Sequence, residues 1–162
     1  MIKFLKTAII VYAALLVQVT VLPAYIADPF KPNLLIVVVA YLGLREGGWG
    51  AALAAFFLGL IADCFSGIYL GLSAFSFLSI HLLLRKVADR LYTDSLYLML
   101  LVVVLATVVN GLVHLVLLLL FPVGAGTYAT LLAGLLPQVL VNALAASLLF
   151  GIPAFGVREE AR

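Results

Sequence analysis

The sequence predicts an all-α integral membrane protein, folded as a compact bundle of about six transmembrane helices. Of its 162 residues, 67% are hydrophobic and 10% are charged, whereas soluble domains carry about 45–50% apolar and about 25% charged residues. The hydrophobic residues fall in six runs, which polar or proline-containing segments separate. A soluble fold of this size could not bury so much apolar surface, and a lipid environment removes that difficulty.

The six predicted helices form a single transmembrane domain, residues 1–162. The first, residues 4–27, contains an apolar run longer than the core of a cleaved signal peptide, which spans about 7–15 residues, so we expect it to remain as a helix. Pro29 and Pro32 follow it and end it, because proline disrupts a continuing helix. The other helices are predicted at residues 33–44, 50–66, 70–84, 95–121 and 128–153.

Two of these helices, 33–44 and 70–84, lie in the N-terminal half and are shorter than the roughly 20 residues that usually cross a bilayer. Short apolar segments either span with local thinning of the membrane or form broken or re-entrant helices packed inside protein. We favour two short spanning helices.

The basic residues predict the orientation, because cytoplasmic loops carry an excess of lysine and arginine. With the N-terminus and C-terminus both inside (N-in/C-in), eight of the nine basic residues are cytoplasmic and only Lys31 is outside. The residues placed inside are Lys3, Lys6, Arg45, Arg85, Lys86, Arg90, Arg158 and Arg162. The net charge of +2 is too small to indicate nucleic acid binding, and the single cysteine excludes an intrachain disulfide.

The third helix carries small residues at every fourth position. Ala51, Ala55, Gly59 and Asp63 share one face, and small side chains let helix backbones approach closely. These four residues are candidates for helix packing or for a partner interface. Asp63 near the outer end of the helix is interpreted as a cap or structural hydrogen bond in preference to a partner, ligand or proton contact, because polar groups in membranes are costly when unpaired.

The last two helices each carry a pair of polar residues four positions apart. Asn110 and His114 share a face of the fifth helix, and Gln138 and Asn142 share a face of the sixth. We expect them to form an intramembrane polar seam, with Gln18 of the first helix joining it. The alternative interpretation is a binding pocket lined by the same five residues.

No pattern in the sequence indicates catalysis, a metal or a cofactor. Nucleophile elbows, phosphate-binding loops and dinucleotide glycine motifs do not occur. His81, His114 and Cys64 lie on three different segments, which is not a metal-ligand spacing. We therefore predict no catalytic residues, no metal site and no cofactor.

Three stretches resemble a known family. They are Lys31-Pro32-Asn33-Leu34-Leu35 with Arg45-Glu46-Gly47 after the next apolar run, Gly59-Leu60-Ile61-Ala62-Asp63-Cys64-Phe65-Ser66-Gly67 with Leu70-Gly71-Leu72-Ser73-Ala74, and Leu136-Pro137-Gln138 through Asn142-Ala143-Leu144 to Leu148-Leu149-Phe150. Their order and spacing are similar to those of the rod shape-determining protein MreD family. A proline–aspartate pair is common in that family where this chain has Pro32-Asn33, so no ionic role is expected at Asn33.

The resemblance implies a non-enzymatic scaffold subunit of the bacterial cell-wall elongation complex, a multi-pass protein of the inner (cytoplasmic) membrane that takes part in cell shape regulation. The expected partners are MreC and, through it, the actin-like MreB and the glycosyltransferase and transpeptidase of peptidoglycan synthesis, with membrane lipid around the helices. The alternative from another class is a substrate-binding subunit of an energy-coupling-factor vitamin transporter, which has a similar size and hydropathy. No aromatic cluster beside the polar residues supports that alternative.

Overall fold

The computed structural model describes residues 9, 11–26, 30–46, 48–66, 69–88, 95–120 and 125–151. These residues contain helices and no β-strand, which confirms the predicted all-α class. Six helices follow one another along them. They are α1 (Val11–Tyr25), α2 (Leu34–Arg45), α3 (Trp49–Ser66), α4 (Leu72–Ala88), α5 (Leu96–Leu119) and α6 (Ala125–Gly151).

Parts of the predicted bundle lie outside the described residues. They include residues 4–8 of the first predicted helix, residues 152–153 of the sixth, and the five basic residues Lys3, Lys6, Arg90, Arg158 and Arg162. Helix α4 begins at Leu72 and ends at Ala88, so it starts two residues later and ends four residues later than the segment predicted at 70–84. The positive φ of +102° at Gly71 explains the later start, because a left-handed residue cannot belong to a right-handed helix.

Helix α2 is the buried centre of the bundle. It contacts α3, α4, α5 and α6, and every residue from Leu35 to Ala40 is buried. The segment is apolar on all sides up to Arg45, so each face can pack against neighbouring helices. At about 1.5 Å per residue the helix is about 18 Å long, against about 30 Å for the hydrocarbon core of a bilayer. Because Leu35 to Ala40 are all buried, neighbouring helices rather than lipid cover this part of α2.

Helices α5 and α6 are long and apolar enough to cross a membrane, by length and composition. The qualifying segments are Leu96–Leu119 and Gly126–Phe150, and α1, α2 and α3 are shorter apolar helices. Along α6 a leucine more than half exposed recurs every four residues, at Leu132, Leu136, Leu140, Leu144 and Leu148. An apolar stripe this long suits contact with lipid better than contact with water.

Helices α3 and α4 pack closely through the small residues of α3. Ala55 is fully buried, Gly59 is buried beside the start of α4, and a Cβ added to Gly59 would lie 2.5 Å from the backbone nitrogen of Ala74 and the carbonyl oxygen of Ser73. The ridge predicted from the sequence is therefore used for packing within the chain.

Candidate functional site

Asp63 lies at the end of α3 and is 3% exposed. Its carboxylate accepts hydrogen bonds from the backbone N–H groups of Gly71 (2.8 Å), Ser73 (2.8 and 3.0 Å) and Ala74 (3.2 Å). The first N–H groups of a helix have no partner within the helix, and a negative charge is favourable there. Asp63 thus caps the start of α4 from the preceding helix, which is the structural role favoured from the sequence.

Helix α2 also begins among side chains from other helices. The N–H of Asn33 donates to Oδ1 of Asn142 in α6 (2.6 Å), and the N–H of Leu34 donates to Oε1 of Gln18 in α1 (2.8 Å). Asn33 is itself the N-cap residue, because its Oδ1 accepts from the N–H of Ile36 (3.3 Å). Neutral amides therefore satisfy the start of α2, whereas a carboxylate satisfies the start of α4.

A local irregularity of α1 accompanies the contact of Gln18 with α2. Gln18 lies in a π-helical segment, Val17–Val21, which ends just before Pro23. Proline has no N–H to donate to the preceding turn, and its ring clashes with the carbonyl four residues before it. A widened turn of this kind relieves that clash, and such turns often occur at functional positions.

The structure divides the predicted polar seam between two contacts. Asn142 crosses from α6 to α5, where its Nδ2 donates to Oγ1 of Thr107 (3.0 Å). Asn110 of α5 instead contacts α4, because its Oδ1 accepts from the hydroxyl of Ser76 (2.7 Å). His114 also lies on the side of α5 that faces α4, where its ring is beside Ser73.

His114 joins the network through both ring nitrogens. Its Nδ1 lies 3.0 Å from the carbonyl oxygen of Asn110, and its Nε2 lies 3.4 Å from Oγ of Ser73. A carbonyl oxygen can only accept, so we assign the proton of the neutral ring to Nδ1. Nε2 then accepts from the Ser73 hydroxyl in a long, weak hydrogen bond. The backbone of the same serine is held by Asp63, so His114 is linked to the α4 cap.

A cavity of about 450 Å³ lies at the end of the bundle where α2 and α4 begin. Four of the five predicted seam residues line it, whereas Asn142, which is fully buried, does not. Its polar lining consists of Gln18, Lys31, Asn33, Ser73, Asn110, His114 and Gln138. Its apolar lining includes Phe65, Leu112, Leu115, Leu131, Leu132 and Leu135.

Five polar residues of this site were not predicted as site residues from the sequence. One of them is Asn33, for which only the absence of an ionic role was expected. Ser73, Ser76 and Thr107 carry hydroxyls, which give no signal in an apolar helix because they commonly bond their own backbone, as Thr107 does to the carbonyl of Val103 (2.8 Å). Lys31 was interpreted only as a topological charge. Its position two residues before the N-cap of α2 was the available signal that it faces the same region as Gln18.

The described residues contain no group of three or more histidine, cysteine, aspartate or glutamate side chains that could hold a metal ion. Cys64 is exposed. His81 is 2% exposed, and its Nδ1 has no hydrogen-bond partner within the described part of the chain. The described residues therefore offer caps, hydrogen-bonded helix contacts and a cavity whose described lining contains no aspartate or glutamate.

We expect replacement of Asn142 by leucine to lower the free energy of unfolding by about 1–3 kcal/mol, because the part-buried N–H of Asn33 would lose its acceptor and the buried hydroxyl of Thr107 its donor. Unfolding in detergent micelles, followed by circular dichroism, measures the effect. Ser147 in the same helix provides the control, since its hydroxyl bonds the carbonyl of Leu144, three residues earlier in its own helix. Ser147→Ala should change stability by less than about 0.5 kcal/mol. Equal effects of the two substitutions would contradict the cap assigned to Asn142.

Comparison with known proteins identifies the family. The sequence profile of the rod shape-determining protein MreD matches residues 1–155. Comparisons with curated proteins and with solved structures found no significant match. The match covers nearly the whole chain, including α2, the Asp63 cap and all described cavity residues. The chain therefore belongs to the rod shape-determining protein MreD family.

Proposed function

We propose that this protein is a non-enzymatic membrane scaffold subunit of the bacterial cell-wall elongation complex. The family match over residues 1–155 carries the proposal, because it supports a role in determining rod shape. The polar chemistry is consistent with it, since Asp63, Gln18 and Asn142 bond the starts of helices. MreC is the proposed membrane partner, and MreB, the glycosyltransferase and the transpeptidase associate through it.

The proposal places the whole chain in the inner membrane as one domain of six spans, with both termini in the cytoplasm. The described basic residues support this orientation. Arg45 ends α2, and Arg85 and Lys86 lie in the last turn of α4, whereas Lys31 lies beyond the opposite ends of these helices. Lys31 and the other three described basic residues thus lie at opposite ends of the bundle, which supports the orientation that the positive-inside rule predicts.

Partner contact on α3 requires side chains that a second protein can reach. Ala55 and Gly59 are buried against α4, whereas Leu53 and Phe57 on the other side of α3 are more than half exposed. We therefore place the partner-facing surface of α3 on Leu53 and Phe57. The ridge of Ala51, Ala55, Gly59 and Asp63 lies on the opposite side of α3 and holds this helix in position against α4.

One experiment tests both the orientation and the function. In this experiment the protein is fused at its C-terminus to green fluorescent protein and is expressed in a rod-shaped bacterium in place of the corresponding protein. The fusion is then recovered from gently solubilised membranes, and the proteins bound to it are identified by mass spectrometry. We expect fluorescence, because that tag folds only on the cytoplasmic side, together with rod-shaped cells and recovery of MreC and the wall-synthesis enzymes. A dark but full-length fusion would overturn the N-in/C-in orientation. Round cells without those partners would overturn the scaffold.

The cavity favours a second candidate, a substrate-binding subunit of a vitamin transporter. Gln18, Asn110, His114 and Gln138 line that space, but Phe65 is the single aromatic side chain among its described lining residues. A vitamin ring would therefore find few stacking partners. Recovery of an ATPase pair with a coupling membrane protein, in place of MreC, would favour this candidate in the same experiment.

A further inference from the structure

The cavity lies beyond the start of the short helix α2. Asn142 of α6 bonds both the N–H of Asn33, at the start of α2, and the hydroxyl of Thr107, so α2 starts at the level of Thr107, in the middle of α5. The described lining residues of α5 lie between Thr107 and Leu119, and those of α6 lie before Asn142. The cavity therefore occupies the space that α2 does not fill, and its floor lies about 18 Å along α5 from the end of that helix.

Four neutral amide side chains from four helices or helix starts line the cavity. They are Gln18, Asn33, Asn110 and Gln138. The carbonyl oxygens of Gln18 and Asn33 accept backbone N–H groups of α2, and that of Asn110 accepts the hydroxyl of Ser76. The N–H₂ groups of these three amides, and the whole amide of Gln138, have no partner within the described part of the chain. Asn110 is 8% exposed and lines the cavity, so its N–H₂ group depends on the occupant of the cavity for a hydrogen bond.

The chain that leads into α2 also borders the cavity. Residues 30–33 are not helical, and Asn33 among them is a lining residue that is only partly buried. In the hydrocarbon region of a membrane, non-helical backbone occurs only where protein buries it or where it borders a water-filled space. The partial exposure of Asn33 therefore favours water in the cavity.

Lipid hydrocarbon is a poor occupant for a space with this lining. An acyl chain has no hydrogen-bond acceptor, so it would leave the amide groups unpaired in an apolar medium, which is costly. Water bonds such groups, and the volume of about 450 Å³ is far above the minimum that one water molecule needs. The cavity is also open, because Phe65, Leu112 and Leu132 line it and each is more than half exposed.

We infer that the cavity is a water-filled vestibule, which brings the outer solution to the middle of the bundle and hydrates the amides of Gln18, Asn33, Asn110 and Gln138. The side of the membrane from which water enters rests on the N-in/C-in orientation of the proposed function, whereas the presence of water does not. A scaffold that acts through its outer helix faces does not require this space, so the vestibule is a separate property of the chain.

Cysteine labelling of the full-length protein in spheroplasts tests the inference. Cys64 is replaced by alanine, and Gln138→Cys in the cavity is compared with Leu136→Cys in the exposed leucine stripe of α6. The probe is a charged methanethiosulfonate reagent, which does not cross the membrane and reacts with the thiolate, a form that requires water. We expect Gln138→Cys to react at least about tenfold faster than Leu136→Cys, although Leu136 is 68% exposed and Gln138 is partly buried in the structure.

Three further cysteine variants control the measurement. Leu135→Cys is a second cavity position and should also react faster than Leu136→Cys. Leu70→Cys, at a position 73% exposed just before α4, should react rapidly and shows that the reagent reaches the outer side. Lys86→Cys, at an exposed position in the last turn of α4, should stay unlabelled until the membranes are opened. Labelling after unfolding in sodium dodecyl sulfate gives the maximum for each variant.

Equal rates for Gln138→Cys and Leu136→Cys would overturn the vestibule. Slow reaction of both would mean that lipid or packed side chains fill the cavity, and rapid reaction of both would mean that water reaches the leucine stripe as well. Labelling of Lys86→Cys in place of Leu70→Cys would overturn the orientation only, because the same comparison in opened membranes still decides whether the cavity holds water. The measurement needs no partner protein, so its failure leaves the scaffold proposal intact, and loss of partner recovery leaves the vestibule intact.

Discussion

Replacing Asp63 with alanine is expected to lower the free energy of unfolding by about 3–5 kcal/mol, because several buried donors would lose their acceptor at once. The N–H groups of Gly71, Ser73 and Ala74 all donate to this carboxylate. Without it the start of α4 must either rehydrate or unwind. Thermal unfolding in detergent, followed by circular dichroism, measures the loss, and a lower protein level in membranes should accompany it.

The Asp63→Asn variant distinguishes a structural role as a hydrogen-bond cap from a functional requirement for negative charge. Asp63→Asn keeps one acceptor oxygen but turns an amide N–H₂ group toward backbone donors, so it should cost about 1–3 kcal/mol, less than alanine. Cys64→Ala is the neighbouring control and should have little effect, since Cys64 is exposed. If Asp63→Ala is as stable as the unaltered protein, the carboxylate is not a structural cap. If Asp63→Asn assembles normally with partners, a functional charge at this position is excluded.

Helices α2 and α4 both begin inside the bundle, at points where side chains from other helices accept hydrogen bonds from their first backbone N–H groups. The start of α2 is bonded by Gln18 of α1 and Asn142 of α6, and the start of α4 is bonded by Asp63 of α3. Inside a membrane no water is present to bond the first N–H groups of a helix, so protein groups must accept their hydrogen bonds. These contacts fix the helix positions relative to one another, which is what the proposed scaffold role requires.

The all-helical class and the six helices were predictable because they depend on local composition. Each run of apolar residues is long enough to form a helix, and prolines, glycines or charges separate the runs. The burial of α2 was harder to predict from the sequence. The run from Leu34 to Leu44 predicts an apolar helix with equal hydrophobicity on all sides, which suits either lipid or protein, and only the packing of four neighbouring helices decides between them.

The polar contacts were predictable as candidates but not as pairs. The spacing of Asn110 with His114 places both on one face of α5, yet it does not say which helix that face meets. The seam was expected between α5 and α6, whereas Asn110 bonds Ser76 of α4. The contact between Asn142 and Asn33 joins residues 109 positions apart, so it depends on how α2 and α6 are packed rather than on any local pattern.

Replacing Gly59 with leucine is expected to separate α3 from α4 and to lower the free energy of unfolding by more than about 3 kcal/mol. An added Cβ would already lie 2.5 Å from the carbonyl oxygen of Ser73 and the nitrogen of Ala74. Both are backbone atoms, so no side-chain rotation can relieve the overlap. The same shift would pull the N–H of Ser73 away from Asp63, so the packing and the cap would be lost together. Unfolding in detergent and recovery of partners at equal protein level measure the consequences.

Gly50 in the first turn of the same helix is the matched control, because an added Cβ there has no atom within 4 Å among the described residues. Gly50→Ala should be neutral or stabilise the protein by up to about 1 kcal/mol, since alanine favours a helix more than glycine does. Gly59→Ala should already be destabilising, because the overlap begins at Cβ. A stable Gly59→Leu variant with unchanged partner recovery would contradict the close α3–α4 contact. It would also remove the reason for placing partner contacts on Leu53 and Phe57, because that surface depends on α3 being fixed to α4 from behind.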